Sequence, residues 1–450
     1  MASPGYANAF PRKHFFMEMF TRDISFEDCI LDLIDNSIDS LVREQDIDPA
    51  RDILSFEKRS KSPATTSKRV TVQLDQKEIV VEDNCGGIPH GFVEDELFTF
   101  GHSPEFRSKQ QLGIYGIGLK RAIFKIAEHF EMQSTALDGS LRAELDIQKW
   151  AEKDEDIKDW RIPVEFGKPA KSERQTGTVI RFAPLRSEVK MRLRDGALLG
   201  RLTQSIAQTY SLFLEQYVRV ELNDVPVSPE SIPLGTANDI KPGQADFSKG
   251  EVKVRIMCGL AARNPFWTSE RAGWYVLCNG RVVVAADKTD LTGWNVGLPG
   301  FHSKYKGFVG VVIFRSKDPL SLPWTTTKRG LNRESPIYQD VKREMILLAR
   351  PIITFLNNMY RSDSMAEEPE EREIAGKVIQ ADLVKLASQR PAIFKVETAS
   401  ARPKTTSRIQ YDASISDLDR IRRVLMKPKW SANKIGRYTF EHFLKQECPE

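Results

Sequence analysis

Asp32 and Asn36 stand four residues apart in Ser25–Leu41, SFEDCILDLIDNSIDSL. On a helix of about 3.6 residues per turn they fall one turn apart on one face, and a carboxylate stacked on a carboxamide suits a water molecule and a divalent ion. A second candidate is Asp83, which ends the apolar run EIVVED and is followed by Asn-Cys-Gly-Gly (84–87). That arrangement offers one acceptor next to backbone able to pass close to a flat ligand, although a DNxGG stretch by itself also fits a plain turn. The third is Gly113-Ile-Tyr-Gly-Ile-Gly-Leu-Lys120, directly before the helical pattern RAIFKIAEHF. Glycines 113, 116 and 118 opening a helix let backbone N–H groups meet an anion at the positive end of the helix dipole, and Lys120 adds a point charge. The run lacks both the GxxxxGK[ST] spacing and the GxGxxG order with a leading strand.

These groups need elements to hold them. Phe26, Ile30, Leu33, Ile34, Ile38 and Leu41 form an apolar stripe of helical period, and Ser25 with Asp28 has the spacing of a capping box. Alternation predicts strands at RVTVQL (69–74), EIVVED (78–83), LRAELDI (141–147) and TGTVIRFAP (176–184), giving two layers with helices on one face of a mixed sheet. Residues 149–158 read as an exposed charged connection, 60–67 as a surface loop, and 92–112 as a mixed polar segment whose His102 suits a lid. From about Leu185 the pattern changes. A helical region over 189–217 precedes strands at 218–223, 252–258 and 307–315, a hairpin at 274–287 turning on Asn279-Gly280, a Pro-rich loop over 318–336 and a helix over 337–359. An acidic patch at 367–371 reads as a linker.

The composition, 450 residues with 40% hydrophobic and 28% charged, is that of a globular chain of about three domains. A net charge of +4 is too small to imply nucleic-acid binding by the whole molecule. Residues 376–450, however, carry 15 Lys and Arg against 8 Asp and Glu. The five scattered cysteines form no CxxC pair, which argues against a disulfide framework or a zinc site. No stretch approaches the ~20 apolar residues of a membrane span, and the first residues lack the apolar core of a signal peptide, so the expected compartment is the cytoplasm, with no membrane partner.

The helix DLIDN, the turn DNCGGI, GxxGxGLK at a helix start and Gly177-Thr178 in TGTVIRF follow in order within 180 residues. This series resembles the GHKL ATPase superfamily, which contains gyrase B, the large heat-shock chaperones, histidine kinases and MutL. Cys278-Asn-Gly-Arg281 and Thr327-Lys328 occur where MutL-, gyrase- and MORC-like members carry a transducer domain; histidine kinases have none. The resemblance is thus to the dimerising branch of prokaryotic-type ATP-binding proteins, over about 15–360.

It implies an α+β chain: a two-layer α/β sandwich of the Bergerat ATP-binding fold over 1–185, a smaller α/β transducer domain over 186–361, an acidic linker over 362–375 and a basic C-terminal interaction module over 376–450. In residue terms it implies that Asp83 accepts from the adenine amino group beside Gly87, with Thr178 backing the base. Asn36 would hold Mg²⁺ against the phosphates, and Gly113, Gly116, Gly118 and Lys120 would wrap them. Asp32 would be the general base and Lys328 would sense the γ-phosphate. The implied function is an Mg²⁺-dependent ATPase working as an ATP-driven homodimeric clamp or switch, on DNA or in a defence or repair system. The alternative is a nucleotide-regulated protein-binding scaffold with little hydrolysis, and the basic tail would engage DNA or a partner protein. Two departures stand out. The usual base is Glu, one C–C bond of about 1.5 Å longer than Asp32, and Cys85-Gly86 replaces the expected Gly-x.

Overall fold

The computed structural model describes residues 11–48, 51–52, 67–101, 112–113, 115–154, 157–263, 267–360, 375–396, 409 and 411–448. The expected loop at 60–66, His102 with the middle of its lid segment, and the acidic patch at 367–371 lie outside them. Among the described residues no helix is long and apolar enough to cross a membrane.

Eight strands form the first sheet: β1 (Arg69–Leu74), β2 (Ile79–Asp83), β3 (His129–Thr135), β4 (Ser140–Asp146), β5 (Val164–Gly167), β6 (Gly177–Phe182), β7 (Arg219–Leu222) and β8 (Val225–Pro226). Their order is β5-β4-β3-β6-β2-β1-β7-β8, with β1/β7 the parallel pair and the remaining neighbours antiparallel. Alternation decides the faces. Val70, Val72, Val81, Phe130, Met132, Ala143 and Phe182 point into the core, while Glu131, Gln133, Arg142, Glu144 and Arg181 point outward. Helices α1 (Lys13–Arg22), α2 (Phe26–Glu44) and α3 (Gly118–Ile126) belong to the same layer pair, and Ile30, Leu33, Ile34, Ile38 and Leu41 of α2 join the sheet's inner face in one apolar cluster. The expected α+β architecture with a mixed sheet is what forms.

Two local expectations are corrected. The helical pattern predicted through 130 stops at Ile126, because Ala127 is already extended and Phe130-Met132-Ser134 bury with the period of a strand. Residues 149–158 are not simply an exposed connection either. Trp150 is buried, and Lys13 of α1 reaches under it to donate to the carbonyls of Trp150 (2.7 Å), Lys153 (2.6 Å) and Asp159 (2.5 Å).

Helices α4 (Leu198–Thr209) and α5 (Ser211–Gln216) lead from this sheet back to β7, so strands beyond residue 185 still pair within it. A second sheet follows: β9 (Gly243–Lys249), β10 (Val252–Leu260), β11 (Gly273–Cys278), β12 (Arg281–Asp287) and β13 (Phe308–Arg315), in the order β9-β10-β13-β11-β12. Asn279 and Gly280 take positive φ (46° and 85°) in the two-residue turn between β11 and β12, as the Asn-Gly pair predicts. Helix α6 (Pro336–Met359) covers this sheet with Val341, Met345, Ala349, Ile352 and Leu356.

Contacts divide the chain into two units, Met1–Val396 and Glu397–Glu450. Residues 375–396 pack within the first: Ile379-Gln380 pairs with Gly235-Thr236, and Val378, Val384 and Leu386 are buried. The second unit contains α7 (Ile415–Val424) and α8 (Ala432–Glu447), tied by Arg422 donating to the Trp430 carbonyl at 3.0 Å.

Lys13→Met keeps the apolar stem but leaves three carbonyls without their charged donor. The expected loss is about 2–4 kcal/mol in the urea unfolding of the first unit. An unchanged midpoint would refute this role.

Candidate functional site

Helix α2 carries the site. Ser25 accepts from the Asp28 N–H at 3.0 Å and Asp28 accepts from the Ser25 N–H at 3.2 Å, closing the expected capping box. The helix is buried on almost every side, so its polar residues face protein and not solvent. Asp28, Asp32, Asp35 and Asp39 fall at i, i+4, i+7 and i+11, one stripe. Together they hold separate pieces of chain. Asp28 pairs with Arg329, Asp32 and Asp35 meet Lys328, and Asp39 accepts from the backbone N–H groups of Leu112 (2.8 Å) and Gly113 (2.5 Å).

A cavity opens along this stripe. Asp32, Asn36, Asp83, Gly113, Gly116, Gly118, Lys120, Thr178 and Lys328 all line it, together with Ser37, Arg43 and Tyr115. Of the residues singled out in the sequence, Gly87 does not reach the wall, and Ile88 does. Gly87 acts through the backbone: its φ is +71°, and a Cβ there would stand 2.1 Å from the Thr135 carbonyl oxygen.

At one end Asp83, Thr178 and Ser134 lie across β2, β6 and β3. Asp83 accepts from the Ser37 hydroxyl at 2.8 Å and from the Cys85 N–H at 2.9 Å, and the Thr178 and Ser134 hydroxyls meet at 2.9 Å. Burial pushes the Asp83 carboxyl up, with the Cys85 N–H and Ser37 hydroxyl opposing it. The result is an acceptor fixed in a nearly dry pocket of Val81, Ile88, Met132 and Ile180, shaped for a flat ring with an amino group. Cys85 is buried, and burial raises its thiol. It is a packing residue.

At the other end the glycine run enters α3. A Cβ at Gly118 would lie 3.0 Å from Asp32 Cβ and Cγ, so only glycine lets this helix start close against the Asp32 side chain. Lys120 is buried beside the electrostatic partner Glu96, and burial pushes its ammonium down to about 7.

Lys328 arrives from the Pro-rich loop. Its Nζ lies 2.6 Å from Asp35 and 3.6 Å from Asp32. Asp35 also accepts from Arg281 Nε at 3.0 Å, and the Tyr210 hydroxyl stands 2.7 Å away. Burial pushes Asp35 up, but the Arg281 and Lys328 cations outweigh it and hold the carboxyl below its usual range. For Asp32 burial wins over Lys328, and its carboxyl is raised.

Sequence reasoning placed Arg281 only within the Cys278–Arg281 stretch that resembles transducer domains, and it gave no role to Asp35, Tyr210, Ser37, Asp39 or Arg43. The regular 4-3-4 spacing of the four aspartates was the available signal. Nothing in the sequence singles out Tyr210.

Among the described residues no group of three His, Cys, Asp or Glu could hold a metal. The cavity instead offers the Asn36 carboxamide, with Asp32 one turn away. A single oxygen ligand completed by phosphate oxygens and water is how Mg²⁺ is commonly bound, so the donor set fits Mg²⁺ carried in with a nucleotide.

A mixed sheet with helices on one face, an acceptor at a strand end and a glycine-opened helix facing a helix-borne Asp and Asn together define a nucleotide-binding domain of the ATPase type. Residues 24–178 match the family described as histidine kinase-, DNA gyrase B- and HSP90-like ATPase, so this segment is similar to ATPase domains of the GHKL type. No curated relative matches the chain. The matched segment contains every cavity residue named above except Ile180 and Lys328.

Lys120 yields a test of the phosphate end. Above pH 7 its free ammonium is mostly deprotonated, and a bound polyphosphate favours the charged form, so binding takes up a proton. At pH 8, calorimetry in buffers of different ionisation enthalpy should register uptake of about one proton, absent in Lys120→Met. Affinity should fall as pH rises from 7 to 9. Binding without proton uptake would show that Lys120 stays charged or stands apart from the anion.

Proposed function

We propose that the chain is an Mg²⁺-dependent ATPase in which nucleotide acts as a switch that closes the molecule and promotes homodimerisation. The observation that carries this reading is that Lys328, some 300 residues downstream of Asp32, lines the same cavity as Asp32 and Asn36. A site that only bound nucleotide would not need a cation delivered by a remote loop.

In this reading Asp83 accepts from the exocyclic amino group of adenine, and Thr178 with Ser134 backs the ring. Backbone N–H groups of Gly113 and of 115–118, with Lys120, receive the phosphates. Bound Mg²⁺, held by Asn36, would neutralise phosphate charge. Asp32 orients a water molecule and takes its proton as the water oxygen bonds to the γ-phosphorus and the bond to the ADP oxygen breaks. Lys328 stabilises charge on the transferred group. The raised proton affinity of Asp32 suits a base, and the close approach of Gly118 suits the shorter acid by bringing the phosphate loop toward it. Asp83→Ala is expected to abolish nucleotide binding by calorimetry, while Asp32→Asn should retain binding and lower turnover by about 100-fold. Loss of binding in Asp32→Asn would assign that residue to the ligand and not to the chemistry.

A second reading is a nucleotide-regulated scaffold that scarcely hydrolyses ATP, favoured by Asp in place of the usual Glu. Asp32→Asn would then leave turnover unchanged. In both readings the α7–α8 unit, with the basic segment around it, is the candidate contact for DNA or a partner protein, and the 376–450 region keeps its proposed role as an interaction module. Sedimentation with a non-hydrolysable ATP analogue and Mg²⁺ should double the mass of the wild-type protein but not of Asp83→Ala. An unchanged mass would sink the clamp.

A further inference from the structure

Asp32, Asp35, Arg281 and Lys328 are all buried around one point, two carboxylates facing two cations. This balance is an obstacle for a lysine meant to meet a phosphate. Lys328 Nζ, 2.6 Å from Asp35, is already neutralised. Withdrawing it would strand Asp35 as a buried charge, which is strongly destabilising unless another group pairs it.

The Asp35 oxygens divide the task. Oδ2 faces Lys328, whereas Oδ1 faces Arg281 Nε at 3.0 Å and the Tyr210 hydroxyl at 2.7 Å. Tyr210 has one proton and two acceptors at 2.7 Å, Asp35 and the Leu31 carbonyl, and the charged oxygen is the stronger of the two. Both Oδ1 partners remain when Lys328 leaves Oδ2. Arg281 does more, because its guanidinium is forked. Nη1 donates to the Lys328 backbone carbonyl at 2.5 Å while Nε holds Asp35. The main chain of Lys328, at φ +55°, is thereby pinned, and movement is confined to its four-carbon side chain.

Arg281 is itself well fixed. It follows the tight Asn279-Gly280 turn, where Asn279 exchanges two hydrogen bonds of 3.0 Å with the Ser316 backbone. A lysine at 281 would keep the charge but could not grip Asp35 and the carbonyl together.

We propose that Arg281 is a positioning residue for γ-phosphate recognition: it pins the Lys328 backbone and keeps Asp35 paired while the Lys328 ammonium passes from Asp35 to the phosphate. The same transfer removes the cation 3.6 Å from Asp32 and leaves that carboxylate freer to accept a proton. The inference rests on the nucleotide reading and adds how the site distinguishes ATP from ADP, since only the triphosphate offers the γ-group that draws Lys328 away.

The test compares affinities of the full chain for ADP and for a non-hydrolysable ATP analogue, each with Mg²⁺, by calorimetry. No turnover is needed. The wild type should favour the analogue, and Lys328→Met should erase that preference. Arg281→Lys should cut the preference by about tenfold, the worth of one charge-assisted hydrogen bond, with ADP affinity held within about twofold. Should Arg281→Lys fail to fold, the double variant Asp35→Asn/Arg281→Gln, which removes one charge of each sign, should lose the preference in the same way because the Lys328 carbonyl is no longer held. A preference kept in either folded variant overturns the proposal. So does an equal loss of ADP and analogue affinity, the result that simple loosening of the fold would give. A wild type that binds both nucleotides without preference removes this proposal alone, whereas one that binds neither removes the nucleotide reading and the proposal together.

Discussion

A carboxylate with no solvent contact cannot remain ionised without partners, because desolvation favours the neutral acid. Asp35 meets that condition through groups from three distant places: Tyr210 after helix α4, Arg281 after the β11–β12 turn and Lys328 in the Pro-rich loop. The second sheet and its loops are thus oriented on α2 by a charge as well as by packing. Replacement of such a network by apolar side chains often leaves stability unchanged or improved. The network's distinctive property is that its members can be repaired by another charge. The sign of its linkage follows. With the folded carboxyl held below its unfolded range, Asp35 contributes stability above about pH 4 and loses that contribution as the pH falls.

The rest of the acid stripe extends the same principle along the helix. Asp39 holds the entrance of the glycine run by two backbone N–H groups, and Asp32 touches both the start of α3 and Lys328. One helix therefore sets the spacing between the loop suited to phosphates and the remote lysine. A change in that spacing is felt by both ends of the cavity because both are fastened to the same 19 residues.

Local pattern made much of this legible. Strands at 69–74 and 79–83, the Asn-Gly hairpin and the capped helix α2 follow from alternation, turn chemistry and capping, and the structure forms them within a residue or two. The cavity brings together Asp32, Asn36, Asp83, the three glycines, Lys120, Thr178 and Lys328 as their order suggested. Legibility failed where a residue's meaning depends on what lies across from it. Asp35 carries no signal of its own until Arg281 and Lys328 stand opposite, and Lys13 carries none until Trp150 covers it. The end of α3 was misjudged for a related reason. Residues 127–130 have no local breaker, and it is pairing with β6 that draws Phe130 into the sheet. The return of 375–396 to the first unit is likewise tertiary, since its ladders are only two residues long.

The matched family segment ends at residue 178, whereas Tyr210, Arg281 and Lys328 lie beyond it. Most of the cavity wall and the groups that could report its contents therefore belong to different stretches of chain, joined at Asp35. An apolar joint there would be indifferent to the charge of a ligand, because burial of hydrocarbon depends on area alone. A joint made of two acids and two bases responds directly, since each added negative charge changes which cation each carboxylate can keep. Physical chemistry thus gives a reason for four ionisable residues where packing would accept leucine. In the proposed switch they would make the fit between the two sheets depend on what occupies the pocket.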